Sequence, residues 1–491
     1  MPNRRREAGS DTSNDVLING VAVGYPLPRR VVDLPLGELD AVHLRMTWEG
    51  DVLRWRAFTR TALASARQLD VAVVAALSDG LPCSGAGDGQ LILERGPAWL
   101  PGASNALGPS TRLRPGSSNE VSLVSIDRVD HVHKRYRRSR PSSDTEAAAL
   151  RLLHGTAVAP SLLASYRYRD LDGLEWPLGL LYRYAPGQGL DVPLRADLRA
   201  VLAAPGHGIP QLRPMTSQLL KATGALVRTL HTLLGTATGA QVEPEITSGE
   251  TIALDSAELL DSAAAEIAAL VPLLTSLLPG DPSVGAGVEA LRWEMRALRD
   301  SHPFPASASP GHGDLHLGQI VVGTDSAGQQ TVRLIDLTPV TLDRSDSTYR
   351  LQTPWQDLAS LHRALEYFSI EEAHRQVAAD TGIPEDEVAW AAHTDRGTAP
   401  SLPANAATRL GAMERLVEQW RAAAMAAFLC GYGESRTTTQ QPLYRLLYLR
   451  RLLHELRYDS EHGRSRYAVF NLNCARLLSG RPAGDYTTLR R

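Results

Sequence analysis

Eight consecutive residues, His312-Gly313-Asp314-Leu315-His316-Leu317-Gly318-Gln319, and a later Ile335-Asp336 carry the side chains in this chain best suited to chemistry. A carboxylate, Asp314, stands five residues ahead of an amide, Gln319. A second carboxylate, Asp336, follows two short apolar runs, Ile320-Val321-Val322 and Val332-Arg333-Leu334, with polar residues between them. That pattern predicts a loop running into a β-hairpin that returns the second acid to the first. The chemistry it suits is in-line phosphoryl transfer to a hydroxyl. Asp314 can orient the attacking hydroxyl or take its proton. The Gln319 amide oxygen binds metal without adding charge, and Asp336 binds the Mg²⁺ that bridges phosphate oxygens. A lone Asp or His in a loop more often only stabilises a turn; here the whole octamer, hairpin and second acid occur together.

The elements that must position these groups are legible by period and punctuation. Residues 121–126 (Val-Ser-Leu-Val-Ser-Ile) and 129–136 read as paired strands with Asp127-Arg128 as the turn. Ser143-x-x-Glu146 is a capping box opening a helix. Two more strands, around 162–170 and 178–187, complete a small sheet with one helix against it. From about residue 195 the apolar spacing is mostly helical, broken only by the 312–339 segment. Residues 1–15 read as a disordered polar tail and 16–110 as a first module without a chemistry motif. In that module 52–77 reads as one helix and 101–119 as a Pro/Gly/Ser-rich connection. The domain plan is therefore a tail (1–15), a first module (16–110), a small module of sheet and helix (111–190) and a helical lobe (191–491).

Composition narrows the function classes. The 491 residues carry a formal charge of −3, with 43% hydrophobic and 21% charged residues, so there is no global basic field for nucleic acid. No apolar run approaches the roughly 20 residues of a membrane span, and the first residues have no apolar stretch of the signal-peptide kind. A cytoplasmic protein without a membrane partner is expected. Cys83, Cys430 and Cys474 are far apart and form no metal cluster. Only two of the 51 basic residues are lysines, Lys134 and Lys221.

The octamer followed by a strand-borne Asp resembles the aminoglycoside-phosphotransferase-like kinases, whose catalytic loop shares the five-residue Asp-to-amide step. It is more similar still to the maltokinases, where Gln replaces the usual Asn at the metal position, as Gln319 does. Other segments agree in order. Leu230-His231 resembles the helix after the hinge, and Trp420 with Ala427-Phe428-Leu429 resembles a late helix. Leu453-His454-Glu455-Leu456-Arg457-Tyr458-Asp459 resembles the C-terminal helix pattern Leu-Tyr-Glu-Val-x-Tyr-Glu. The resemblance implies a protein-kinase-like bilobal α+β fold with an N-terminal cap module, a small mixed β lobe and a large helical lobe. It implies that Lys134 holds the α- and β-phosphates of ATP and that Glu146 orients Lys134. It also implies that Ser117, Ser118 and Asn119 lie over the phosphates, that Tyr182 and Tyr184 flank an adenine-binding hinge, and that Asp357 braces the catalytic loop. His316, Trp420, Arg451, Glu455, Tyr458 and Asp459 are the acceptor candidates. The implied activity is ATP- and Mg²⁺-dependent phosphorylation of a small-molecule sugar, maltose to maltose 1-phosphate by default. Glucosamine, an aminoglycoside or a cyclitol is the alternative acceptor, and a non-catalytic pseudokinase-like binding module is the alternative class. The chain departs from the maltokinases after Asp336, where Leu337-Thr338-Pro339-Val340 replaces Phe-Glu-Gly-Glu-Pro.

Overall fold

The computed structural model describes residues 16–18, 21–23, 31–36, 42–49, 52–59, 62–79, 83–84, 89–99, 107–113, 119–141, 145–203, 212–236, 252–253, 255–305, 307–325, 327–337, 353–393 and 402–479. The tail over 1–15, Ser117, Ser118 and Ser143 lie outside them. The chain forms two compact units, Met1–Asp144 with Leu163–Tyr182, and Thr145–Leu162 with Arg183–Arg491.

The first unit is built on strands. They are β1 (Val16–Ile18), β2 (Val21–Val23), β3 (Val31–Pro35), β4 (His43–Glu49), β5 (Val52–Phe58), β6 (Cys83–Ser84), β7 (Gln90–Arg95), β8 (Leu107–Leu113), β9 (Glu120–Ile126), β10 (Val129–Arg135), β11 (Arg138–Ser139), β12 (Leu162–Arg169) and β13 (Glu175–Arg183), with one helix, α1 (Ala66–Asp79). A seven-stranded sheet runs β6-β7-β12-β13-β10-β9-β8, and a four-stranded sheet runs β11-β5-β4-β3. β9 and β10 are the expected hairpin: Ile126 pairs Val129, and Asp127 and Arg128 both have positive φ (50° and 65°). Two such residues make the turn whose twist matches the strands it joins.

Three local readings change. Residues 52–58 form a strand, not the start of a helix. Leu53 and Ala57 are buried while Arg54 and Arg56 point outward, a period of two. The helix starts later, at a reciprocal capping box: Ser65 N donates to Gln68 Oε1 (2.8 Å) and Gln68 N to Ser65 Oγ (3.3 Å). Residues 107–113, expected as connection, form β8 at the edge of the large sheet, where Gly108 and Pro109 are tolerated. The large sheet also spans residue 110, since β7 pairs β12 and β8 pairs β9, both from beyond it. The shared core explains why: α1 residues Leu69, Val73 and Leu77 pack with Leu91, Val124, Ile126 and Tyr168.

The second unit is mainly helical: α2 (Thr145–Leu152), α3 (Asp191–Ala203), α4 (Pro214–Thr236), α5 (Ser256–Leu277), α6 (Pro282–Asp300), α7 (Pro354–Thr381), α8 (Glu385–His393), α9 (Ala404–Tyr432), α10 (Pro442–Glu461) and α11 (Ser465–Ser479). Its strands are β14 (Gln188–Gly189), β15 (Ile252–Ala253), β16 (Ser307–Ala308), β17 (Ile320–Thr324) and β18 (Gln330–Leu334). The predicted hairpin is β17–β18, joined by β14 into a three-stranded sheet. Helix α5 is long and apolar enough to cross a membrane, contrary to the expectation of no such run. It carries Glu258, Asp261, Glu266 and Pro272, and it packs Leu259, Leu260, Ile267, Leu270 and Leu274 inside the unit beside α6 and α10.

Helices α4 and α9 approach closely because glycines face the opposing backbones. A Cβ on Gly431 would lie 2.0 Å from the Lys221 carbonyl oxygen, and one on Gly224 would lie 2.1 Å from that of Phe428. Backbone cannot yield as a side chain can. Gly431→Ala is therefore expected to lower stability by about 1–3 kcal/mol, read as a shift in urea midpoint with unchanged slope.

Candidate active site

The loop that carries the His312–Gln319 octamer enters after β16 and is tied down from three sides. Asp357, in the first turn of α7, accepts the backbone amides of His312 (2.6 Å) and Gly313 (2.9 Å). It is not the helix cap: Thr353 fills that role by accepting from Trp355 N at 3.2 Å. The carboxylate fits because Gly311 has no side chain, and a Cβ there would lie 2.7 Å from Asp357 Oδ2. Gly313 turns the loop at φ +86°. His231 Nε2 also bonds Asp357 (2.8 Å), and its Nδ1 bonds the Tyr432 hydroxyl (2.8 Å). Burial pushes the Asp357 carboxyl up, but the hydrogen bond and charge of His231 with the His312 amide outweigh it and hold it below its ordinary range. The third tie is His312 Nε2, which donates to Ile335 O at 2.9 Å, next to Asp336.

The octamer then closes a short 3₁₀ turn, Leu317–Gln319, capped by His316, whose Nδ1 accepts from Gly318 N at 3.1 Å. Burial lowers the His316 pKa, opposed by Asp314. The ring is neutral, with its proton on Nε2. Ile335 N donates to Gln319 O (2.9 Å), so the hairpin returns Asp336 to Gln319. Gln319 Nε2 donates to Asp336 Oδ2 at 2.8 Å, while Gln319 Oε1 is buried with no hydrogen-bond partner among the described residues. Asp336 sits at φ +62°, a conformation a non-glycine residue adopts at some cost. An orphaned amide oxygen beside a carboxylate is the hard-oxygen donor set that suits Mg²⁺, so these residues fit the ion.

Asp314 is partly exposed and accepts from Arg451 Nη1 at 2.8 Å. Burial raises its pKa, but the charge and hydrogen bond of Arg451 outweigh burial and leave it lowered. Behind Arg451 lies a buried ionic chain. Arg451 Nε donates to Glu455 Oε1 (3.1 Å), and Arg363 Nε donates to Glu455 Oε2 (3.0 Å). Arg363, with no exposed surface, also bonds Glu366 (2.5 Å), Tyr448 (3.0 Å) and Asn471 (2.5 Å). Asn471 Nδ2 donates to Asp459 Oδ2 at 2.9 Å, and Arg464 pairs with Asp459 Oδ1 at 3.2 Å.

The second unit thus gathers Asp314, His316, Gln319, Asp336, Arg451 and Glu455. The remaining acceptor candidates behave differently. Trp420 has no exposed surface and donates to Asp197 Oδ2 at 2.7 Å; its indole is core, not a platform for a sugar ring. Glu455, Tyr458 and Asp459 do not share one environment. Both oxygens of Glu455 are taken by arginines and Asp459 is buried, whereas Tyr458 is 45% exposed and stacks on His462 at 4.1 Å. Lys134, Asn119 and Tyr182 belong to the first unit, and Glu146 and Tyr184 to the second. Lys134 is buried on β10, with its Nζ 5.3 Å from the Tyr136 ring centre, so this part of the basic run is no solvated face. Glu146 is also buried, in the first turn of α2. Sequence reasoning missed Arg363 entirely. Its signal was an Arg among Leu361, Leu365, Tyr367 and Phe368, where a solvated side chain has no place.

Asp459 gives a pH prediction. Burial, helped by Glu455 and opposed by Arg464, pushes its carboxyl up to about 7 from 3.8. Between those values the folded state keeps a proton that the unfolded state has released, so stability falls as pH rises through the window. Asp459→Asn is expected to flatten that slope, measured by urea unfolding at pH 5 and pH 8.

No family model and no curated protein matches this chain. Among solved structures, its fold is that of the kinase-like proteins. One crystal form of a glucosamine kinase aligns with a TM-score of 0.54 at 17% identity, over 92% of each chain. A glucosamine kinase in complex with glucosamine, ADP and inorganic phosphate aligns with a TM-score of 0.51 at 17% identity, over 91% of this chain and 94% of its own. The aminoglycoside phosphotransferase APH(4)-Ia aligns more loosely, with a TM-score of 0.38 at 13% identity, over 76% of this chain and 95% of its own.

Proposed function

We propose that this chain transfers the γ-phosphoryl group of ATP to a hydroxyl of a small sugar. The observation that carries the reading is the juxtaposition of Asp314 with the Gln319–Asp336 pair in one loop and hairpin, the amide oxygen of Gln319 being buried with no partner among the described residues. Asp314 accepts the proton of the attacking hydroxyl as the new O–P bond forms and the bond from the γ-phosphorus to the β-phosphate oxygen breaks, releasing ADP. Gln319 and Asp336 hold Mg²⁺, which when bound neutralises charge on the phosphate oxygens. Lys134 holds the α- and β-phosphates. Asn119 meets the phosphates, and Tyr182 and Tyr184 flank the adenine. Arg451 keeps Asp314 ionised and leaves its second oxygen for the acceptor.

An amino sugar of the glucosamine class is the acceptor we favour over maltose. Two observations support it: the likeness to glucosamine kinase over more than nine-tenths of both chains, and the loss of the maltokinase segment after Asp336. The test is ADP release with Mg²⁺ against glucosamine, glucose, maltose and an aminoglycoside. Turnover on glucosamine and not maltose is expected. Turnover on maltose overturns the acceptor choice alone. Nucleotide binding without turnover on any sugar overturns the kinase reading in favour of a binding module.

A further inference from the structure

The run His133 to Ser139 is held almost residue by residue by the N-terminal elements of its own unit. Asp70, on α1 and buried, grips the residues on both sides of Lys134. Its Oδ1 bonds His133 Nδ1 at 2.5 Å and Arg135 Nη1 at 3.1 Å, and its Oδ2 accepts from Ser110 Oγ at 2.6 Å. Burial lowers the His133 pKa despite the opposing pull of Asp70. The imidazole is therefore neutral, with Nδ1–H donating to Asp70. Its Nε2 accepts from the Tyr166 hydroxyl at 2.9 Å, a group that burial keeps protonated. Just downstream, Trp55 Nε1 on β5 donates to the Tyr136 carbonyl at 2.8 Å. Arg138 and Ser139 then pair with Arg54 and Leu53 of the same strand. Side chains alternate across a strand, so with His133 and Arg135 turned toward α1, Lys134 emerges on the opposite face.

We propose that the N-terminal elements act as a brace for the nucleotide-binding strand, with Asp70 as the positioning residue that fixes Lys134 for the phosphates of ATP. This rests on the reading of Lys134 given above. Asp70 touches no substrate; it acts by locking the backbone on either side of the lysine. A lysine that must meet phosphate oxygens is sensitive to displacement, since errors near 1 Å cost on the order of 100-fold in rate.

The test compares Asp70→Asn, Ser110→Ala and Lys134→Met in the full chain. KM for ATP, KM for the sugar and kcat are measured, with ADP affinity by calorimetry and thermal unfolding alongside. Asp70→Asn is expected to lower kcat/KM for ATP about 10- to 100-fold while leaving KM for the sugar unchanged, at temperatures where it remains folded. Ser110→Ala removes a donor to Asp70 but neither grip on β10, and is expected to keep wild-type ATP kinetics. A folded Asp70→Asn with wild-type ATP kinetics, beside a Lys134→Met that has lost ATP affinity, overturns the brace and leaves the lysine reading intact. Wild-type ATP affinity in Lys134→Met overturns the lysine reading and the brace with it. If Asp70→Asn does not fold, Trp55→Phe, which removes the bond to the Tyr136 carbonyl and trims the ring packed edge-on against Tyr166, takes its place: an ATP-specific loss supports the brace and wild-type kinetics overturns it.

Discussion

Asp314→Ala is expected to lower kcat by on the order of 10²- to 10⁴-fold, the usual worth of a positioned acid or base, with nucleotide affinity and fold retained. The fold should survive because Asp314 is partly exposed and its partner Arg451 keeps Glu455. The loop should survive because its anchors are Asp357, His231 and the His312–Ile335 bond, none of which involves the Asp314 side chain. The loss therefore falls on the chemical step. Single-turnover kinetics at saturating ATP, together with calorimetric titration of ADP, separate the two. Asp314→Asn keeps the shape but cannot accept a proton, so it should be impaired to a similar degree.

Arg363→Met is expected to cost about 3–5 kcal/mol of stability, because removing one partner of a buried ionic cluster leaves uncompensated charge. Arg363 has no exposed surface and serves both Glu366 and Glu455, while its guanidinium lies 5.1–5.7 Å from the ring centres of Tyr367, Tyr448 and Phe470. Methionine replaces the packing but not the charge. The pH dependence follows from Glu366. Burial pushes its carboxyl up, but Arg363 and Arg421 outweigh this and hold it down to about 2, against an ordinary 4.5. A depressed carboxyl contributes stability above its unfolded pKa and loses it as pH falls through the folded value. Without Arg363 that contribution disappears, so the deficit of the variant should be full at about pH 5, above the unfolded value, and shrink by about pH 3 as the folded value is approached. Urea unfolding at the two pH values measures it, and adding Glu366→Gln to the variant should recover part of the loss. Because Arg363 also holds Glu455, the partner of Arg451, the surviving folded protein should show a displaced Asp314 titration in its pH–rate profile.

The parts of the site legible in the sequence are those whose chemistry lies within one short stretch. Asp314, Gln319 and Asp336 stand in a loop and hairpin whose strands and turns follow from local pattern. What supports them does not. Asp357 meets the His312 amide across 45 residues and His231 across 126, and Arg363 meets Asn471 across 108; no periodicity encodes such pairs. Trp420 illustrates a second limit. A tryptophan suits a sugar platform and a core equally by type, and only burial against Asp197 separates them. The misread strand at 52–58 is a third case. An alternating Leu53-Arg54-Trp55-Arg56-Ala57 run lies just ahead of a true helix, and the boundary was marked by the Ser65-x-x-Gln68 box.

The most direct measurement is ³¹P NMR of the protein with ATP, Mg²⁺ and glucosamine, run beside Asp314→Ala. A sugar phosphate signal growing with ADP in the wild type, and absent from the variant on the same time scale, is the predicted result. Equal product from both proteins, or ATP converted only to ADP and inorganic phosphate whatever sugar is supplied, would contradict a phosphoryl transfer to sugar centred on Asp314.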